Sequence, residues 1–454
     1  KCHSFGLKKF NTISKQFQPK LFVNNELIPA VKQDESFTYL GRHFDYKMSN
    51  KQHKEELISD TKDFMKRTDE LPIHPKNKML IYHRYILSKL SWNLTIADID
   101  MTWIKQSLDS IVNQYVRSWL EIPISGTLDT IQLSKGKFGI CYVMVSTRFT
   151  QCQAILRNNL RKSSNNDIVK IFYDTNCNTN IQYDQFKTTK EAINQYRKAK
   201  EDRLSYVLTT ESLVIKSIWK HGMKSAAEIW SKSITNQPKN IYSFSIRYIN
   251  NSLANSSNMY KWGITASPLC LHCNNNQTLG HVVAGCESSL REKRYNYRHD
   301  SILLNLGRTL ESIKLIDLYI DITEFKNPSI ITGESHRPDL VAIFKNKLYI
   351  LELTAGYETN IEINSKRKET HYKALIDRLT PLYDSVHFVN LSMGALGVYG
   401  VGCETILSMF RDLGMSKKEI DYVMCKICNI CIRCTYYIFC CRNREWNKPE
   451  LLYW

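Results

Sequence analysis

The 454-residue chain contains no stretch of about 18 uninterrupted apolar residues, the length a membrane-spanning helix needs, so no membrane partner is expected. No apolar signal segment precedes the 14 cysteines, and those cysteines are spread along a long chain. Reduced thiols, some of them holding metal, therefore fit better than the disulfide framework of a secreted protein. No repeat of fixed period is visible. Acidic residues are the scarcer charge: 44 Asp and Glu stand against 62 Lys and Arg, a net charge of +18. A surplus of that size favours a polyanionic partner, although a basic but otherwise ordinary soluble protein would show it too.

What is present is a globular composition, with 43% hydrophobic and 23% charged residues, on a chain too long for one ordinary core. Three or so structural units are expected. The chain opens with Lys1 inside a strand-like segment, which reads as a fragment of something longer. Residues 1–45 read as short strands, among them Phe37-Thr38-Tyr39-Leu40-Gly41. Helical periodicity follows. Leu57, Phe64, Met65 and Leu71 share a face over 51–71. Pro75 stands where a second helix would start, running through Tyr82, Ile86, Leu90 and Leu94. Asp100 is placed to cap a third, striped by Ile104, Leu108, Ile111, Val112, Tyr115 and Trp119. Residues 158–182 read as an exposed loop, and 186–260 return to basic helices.

Cys270, Cys273, His281 and Cys286 follow the pattern C-x2-C-x7-H-x4-C. Four N and S ligands in this spacing suit a structural Zn2+, which takes four tetrahedral ligands and leaves no open position. Asn274-Asn275-Asn276 supplies a turn, and Gly280 allows close backbone approach before His281. His272 is a possible exchange for His281.

Further on come Arg337-Pro338-Asp339 and Glu352. Between the two acids lie an apolar run from Leu340 to Phe344, then Lys345-Asn346-Lys347, then a second apolar run to Leu351. A hairpin loop of two or four residues brings Asp339 and Glu352 to the same end and face of a sheet. Two acids on a buried hairpin are costly unless a cation neutralises them, and Mg2+ or Mn2+ is the natural ion for oxygen ligands. A helix over 362–379 would set Lys368, Tyr372, Leu375, Ile376 and Leu379 on one face. Lys368 could then reach the acids and a scissile phosphate, or snorkel to the surface, and Tyr372 could assist. Upstream, Arg298-His299-Asp300 would open another helix. Asp300 would be a further metal ligand or the helix cap, while Arg298, His299 and Arg337 would contact DNA phosphates.

In this order the parts resemble the C-terminal half of the polyprotein of site-specific non-LTR retrotransposons, whose restriction-enzyme-like endonuclease belongs to the PD-(D/E)-x-K superfamily. Lys1-Cys2 with Ser4-Phe5 resembles the last palm strands of the reverse transcriptase, and Phe37–Gly41 its primer grip. The helices of 51–121 stand where the thumb belongs. Residues 250–262 and the C-C-H-C pattern resemble the region ahead of the endonuclease. Arg298-His299-Asp300, Arg337-Pro338-Asp339, Glu352 and Lys368-x3-Tyr372 match its ordered motifs. Two departures stand out. Thr354 occupies the position, two after the second acid, where many superfamily members carry the lysine; the retrotransposon group resembles this chain in taking it from the next helix. No Asp-Asp dipeptide occurs, so the palm's paired aspartates are missing and no polymerase activity is expected.

The resemblance implies a multidomain, mostly α chain with an α/β nuclease: palm edge (1–45), helical thumb (46–157), linker loop and basic helices (158–264), zinc module (265–290), endonuclease (291–400) and C-terminal helical tail (401–454). It implies a metal-dependent DNA endonuclease with Asp339, Glu352, Lys368 and Tyr372 in its site. The partners would be target DNA, the element's RNA and the remainder of the polyprotein, and the place of action the nucleus after cytoplasmic synthesis. The alternative is a non-catalytic zinc-containing RNA- or DNA-binding module of the same element. Cys425, Cys428, Cys431 and Cys434 imitate an iron–sulfur run, but the spacing does not widen before the last cysteine and Thr435 follows it. A continuous apolar helix over 417–442, with the thiols buried, is expected instead.

Overall fold

A computed structural model describes residues 3–32, 35–45, 49–96, 99–174, 188–334 and 336–452. Lys1 and Cys2 of the palm-like segment, and residues 175–182 of the expected loop, lie outside the described residues, while the rest of that loop is largely helical, in Val145–Arg161 and Asn166–Asp174. The chain is mostly helical with a small mixed sheet in its C-terminal part. Two compact units form, each discontinuous in sequence: Lys1–Trp119 with Tyr142–Lys200, and Leu120–Cys141 with Glu201–Trp454. Residues 120–141 group with the C-terminal unit and not with the helices that precede them.

In the first unit three short antiparallel hairpins precede the helices. Helix Lys51–Glu70 buries Leu57, Thr61, Met65 and Thr68, while Leu71 falls beyond its last turn and is exposed. The helix begun by Pro75 continues to Ile96 through a π turn at Tyr82–Ile86. Asp100 caps the next helix by accepting from the Trp103 amide at 2.7 Å. A second π turn, Lys105–Asp109, adds a residue to the repeat and rotates the face that follows. The buried line is therefore Ile104, Leu108, Val112, Val116 and Trp119, and Ile111 and Tyr115 of the expected stripe are only half-buried.

The second unit holds the sheet. Strands β1 (Ile316–Ile320), β2 (Leu340–Phe344), β3 (Lys347–Gly356) and β4 (Ser385–Gly394) lie in the order β4-β3-β2-β1. The first three are antiparallel, and β3 and β4 are parallel, joined through helix α2 (Ile361–Leu379) as a parallel pair requires. Lys345 and Asn346 alone form the hairpin loop, both at positive φ (49° and 59°), the backbone of a two-residue type I′ turn. Val341, Leu348 and Ile350 on one sheet face meet Tyr372, Leu375 and Leu379 of α2. Helix α1 (Arg294–Glu311) packs on β1 and β3.

Helix α4 (Lys417–Cys440), after α3 (Glu404–Asp412), packs against α1 and helices Ala227–Thr235 and Lys239–Ile249. By length and composition α4 could cross a bilayer, but 61% of its most apolar window is buried against these neighbours, which makes it a core helix. The expected tail is thus a central element. Cys428, Cys431 and Cys434 are fully buried in it. A Cβ at Gly397 would stand 2.8 Å from the Cys428 sulfur, so the chain there must stay bare for α4 to seat.

Candidate functional site

The two-residue turn fixes the register. Leu340 pairs with Leu351, so the next positions out, Asp339 and Glu352, stand across from each other. Their contacts agree: the Leu353 amide donates to Asp339 Oδ2 at 2.7 Å and the Asp339 amide to Glu352 Oε2 at 3.4 Å. Glu352 is 4% exposed. Burial pushes its carboxyl above the ordinary value and the Asp339 charge pushes the same way, opposed by Lys368 and Tyr372. The strand neighbours contribute no compensating charge, so help comes from two helices.

Lys368 on α2 donates to Glu352 Oε1. Thr354 faces the same side of β3 as Glu352, because alternate strand residues share a face, and its buried hydroxyl oxygen has no partner. The cation reaches the acid from the helix instead. Tyr372, one turn after Lys368, donates to the Arg337 carbonyl at 3.3 Å, with the Glu352 carboxylate beside its phenol. Burial, and then the Glu352 charge, push its phenol far up, so it stays a neutral donor. From α1, His299 Nε2 lies 3.2 Å from Asp339 Oδ1 and its Nδ1 3.1 Å from Asp300 Oδ1. Burial opposes protonation of this ring, but Asp339 and Asp300 outweigh it and raise the pKa to about 10. Both acids thus have a cationic partner.

The remaining expectations divide. Arg337 is half-exposed at the mouth and ion-paired with Asp321, whose amide donates to the Asp339 carbonyl at 2.9 Å. His299 turns to the acids and not outward. Asp300 cannot cap a helix, because α1 begins at Arg294, a turn and a half earlier. Arg298 is not a phosphate contact either: it is 1% exposed. Its guanidinium donates to Thr435 Oγ1 of α4 (3.0 Å), the Val283 carbonyl (3.1 Å) and the Ala355 carbonyl of β3 (2.7 Å). A buried charge needs such partners, and here they tie three elements together. Sequence reasoning also missed Glu358. It is fully buried, takes a 2.6 Å bond from Tyr248 and a 2.8 Å bond from the Leu396 amide, and burial holds its carboxyl above the ordinary value. No periodicity marks either residue, since their partners are far away in sequence.

Cys270, Cys273, His281 and Cys286 converge, with their ligand atoms all within 4.8 Å of one another, and the group can hold a metal ion. Asn274 at φ 56° turns the chain so that its amide donates to the Cys270 carbonyl and the Cys270 amide to Asn275. His281 opens a short π turn, His281–Gly285, that delivers Cys286. His272 stands outside the group. Burial raises the Cys286 thiol, but the Ser289 amide and hydroxyl and the Ser288 amide hold it below its ordinary value. Gly280 lies against the Tyr357 ring, where a Cβ would come within 2.9 Å. The metal turn is thereby set against the segment that leaves β3. No protein-family description and no curated protein matches the chain.

Proposed function

We propose that this chain is a metal-dependent DNA endonuclease from the C-terminal half of a non-LTR retrotransposon polyprotein, nicking target DNA so that the exposed 3′ hydroxyl primes reverse transcription. The observation that carries this reading is the placement of Lys368 on Glu352, opposite Asp339. Two facing carboxylates, one of them buried, form a donor set suited to Mg2+ or Mn2+; the His299 ring stands between Asp339 and Asp300, so Asp300 is left out of that set. Such an ion would polarise the phosphate and supply hydroxide from bound water. The chain's own residues do the rest. Lys368 places positive charge where the phosphate gains negative charge, Tyr372 sets a neutral phenol beside Glu352, and His299 neutralises Asp339 until an ion takes its place.

The Cys/His group fits a structural Zn2+. Zinc–sulfur bonds of about 2.3 Å in a tetrahedron set the sulfurs roughly 3.8 Å apart, and the Cys273 and Cys286 sulfurs stand 3.9 Å apart. Target DNA, the element's RNA and the rest of the polyprotein are the proposed partners, in the nucleus. The excess of 62 basic over 44 acidic residues supports a nucleic-acid partner.

The test is nicking of supercoiled plasmid in Mg2+. Asp339→Ala lowers the nicking rate by about 100-fold or more while salt-sensitive DNA binding persists. Equal loss of binding would make Asp339 a structural residue, and nicking that survives the change would remove it from the site.

A further inference from the structure

In the parallel register of β3 and β4, Asn390 stands beside Glu352, at the roughly 4.8 Å spacing of neighbouring strands. Val386 and Phe388 precede it at alternate positions and pack on the α2 side of the sheet, so Asn390 points to α2 as Glu352 does. It is 1% exposed, and both ends of its amide are engaged. Nδ2 donates to Ser365 Oγ at 2.6 Å, to Glu369 Oε1 at 3.1 Å and, at the long limit, to the Ser365 carbonyl at 3.4 Å. Oδ1 accepts from Ser392 Oγ at 2.6 Å. A carbonyl and a carboxylate only accept, which fixes the nitrogen on the α2 side. The backbone is held as well, since the Asn390 amide donates to Thr405 Oγ1 of α3 at 2.9 Å. A Cβ at Gly402 would come within 2.8 Å of Ser365 Oγ and 3.3 Å of the Asn390 amide, so this contact is closely packed from behind.

Ser365 and Glu369 lie one turn apart on α2, and Lys368 falls between them in sequence. Residues three and four apart share a helix face, so the bonds from Asn390 to Ser365 and Glu369 set the rotation of the very turn that carries Lys368. A lysine on a turn free to rotate runs its stem out to solvent. Here the ammonium meets Glu352, the strand neighbour of Asn390. We propose that Asn390 is a positioning residue, which locks this turn of α2 so that Lys368 stays on Glu352. Its part in nicking rests on the endonuclease reading above; the lock on Lys368 does not. A misplacement of about 1 Å at a reacting group can cost about 100-fold in rate, so a fixed turn matters to a cation that must meet a phosphate.

The test reads Lys368 itself. The full chain, without DNA or Mg2+, is trace-labelled with acetic anhydride, and acetylation of Lys366, Lys368 and Lys373 on α2 is measured by mass spectrometry. Asn390→Leu keeps the volume and loses every side-chain bond. It raises acetylation of Lys368 about threefold relative to the other two, the scale of one lost ion pair. In plasmid nicking the same variant lowers kcat about tenfold and leaves the DNA concentration for half-maximal rate unchanged. Asn390→Asp combined with Glu369→Gln exchanges donor and acceptor at the same net charge, and it returns both readings to the wild-type values. A parallel rise at all three lysines makes Asn390 a general support of α2 and overturns the proposal. Unchanged Lys368 acetylation, or an exchange that does not restore it, overturns it too. A wild type that does not nick while the acetylation pattern is as expected keeps the lock and removes the endonuclease reading.

Discussion

The Cys/His cluster and the acid centre lie in one unit, and they solve the burial of reactive groups in opposite ways. The cluster is assembled within 17 consecutive positions, and among the described residues no ion pair reaches its sulfurs. A fourfold ligand set at tetrahedral spacing is complete with an ion alone. The acid centre is drawn from β2, β3, α1 and α2, and each acid already has a cation, His299 on Asp339 and Lys368 on Glu352. A divalent ion entering there must share or displace those partners. One region is a compact set of metal-type ligands, the other a charge-balanced pair of acids.

That contrast can be broken at several points. The largest effect is expected at the Cys/His cluster: Cys286→Ala, or removal of the metal by a chelator, costs several kcal/mol and lowers the thermal midpoint by about 10 °C. A midpoint unmoved by both treatments would mean that the cluster is not a metal clip. Next comes Arg298→Met, because Arg298 joins the metal turn at Val283 to the end of β3 at Ala355. Loss of its guanidinium leaves buried carbonyls unpaired and costs about 3 kcal/mol in a denaturant titration. DNA affinity at moderate salt stays within about twofold, since a side chain this deeply buried makes no phosphate contact. A steep fall in affinity with unchanged stability would restore the phosphate role expected from sequence.

At the acid centre, Lys368→Met lowers the nicking rate by about 100-fold with little change in DNA binding. An unchanged rate would reduce Lys368 to a structural ion-pair partner. The smallest effect is expected from His299→Gln, which removes the cation on Asp339. The Mg2+ concentration for half-maximal nicking should fall about threefold, the scale of one partly exposed ion pair. A rise would mean that His299 helps to hold the ion and does not compete with it.

What the sequence made legible follows the same division. The cluster's ligands are close in the chain, so spacing alone named them. The acid pair was legible because a two-residue turn leaves one register, and Lys368 because helix periodicity put it on the face with Tyr372 and Leu375. Arg298 was misread because its partners Val283, Ala355 and Thr435 are separated from it in sequence, and an arginine surrounded by polar residues resembles a surface one. The start of α1 was placed four residues late, since Lys293, in left-handed backbone at φ 57°, is no ordinary cap. α4 read as a tail because nothing local shows that α1 and two earlier helices close over it. The shift from Tyr115 to Val116 in the first unit has the same character: a π turn has no strong sequence signature, yet it moves every later residue around the helix.

The most direct test of the central claim is the rate of plasmid nicking as Mg2+ is titrated, measured for the wild-type chain and for Glu352→Gln, which keeps the side chain's shape while removing its charge. A saturable, Mg2+-dependent rate is expected in the wild type and a loss of about 100-fold or more in the variant. Equal nicking by both proteins, or nicking without divalent ion, would contradict it.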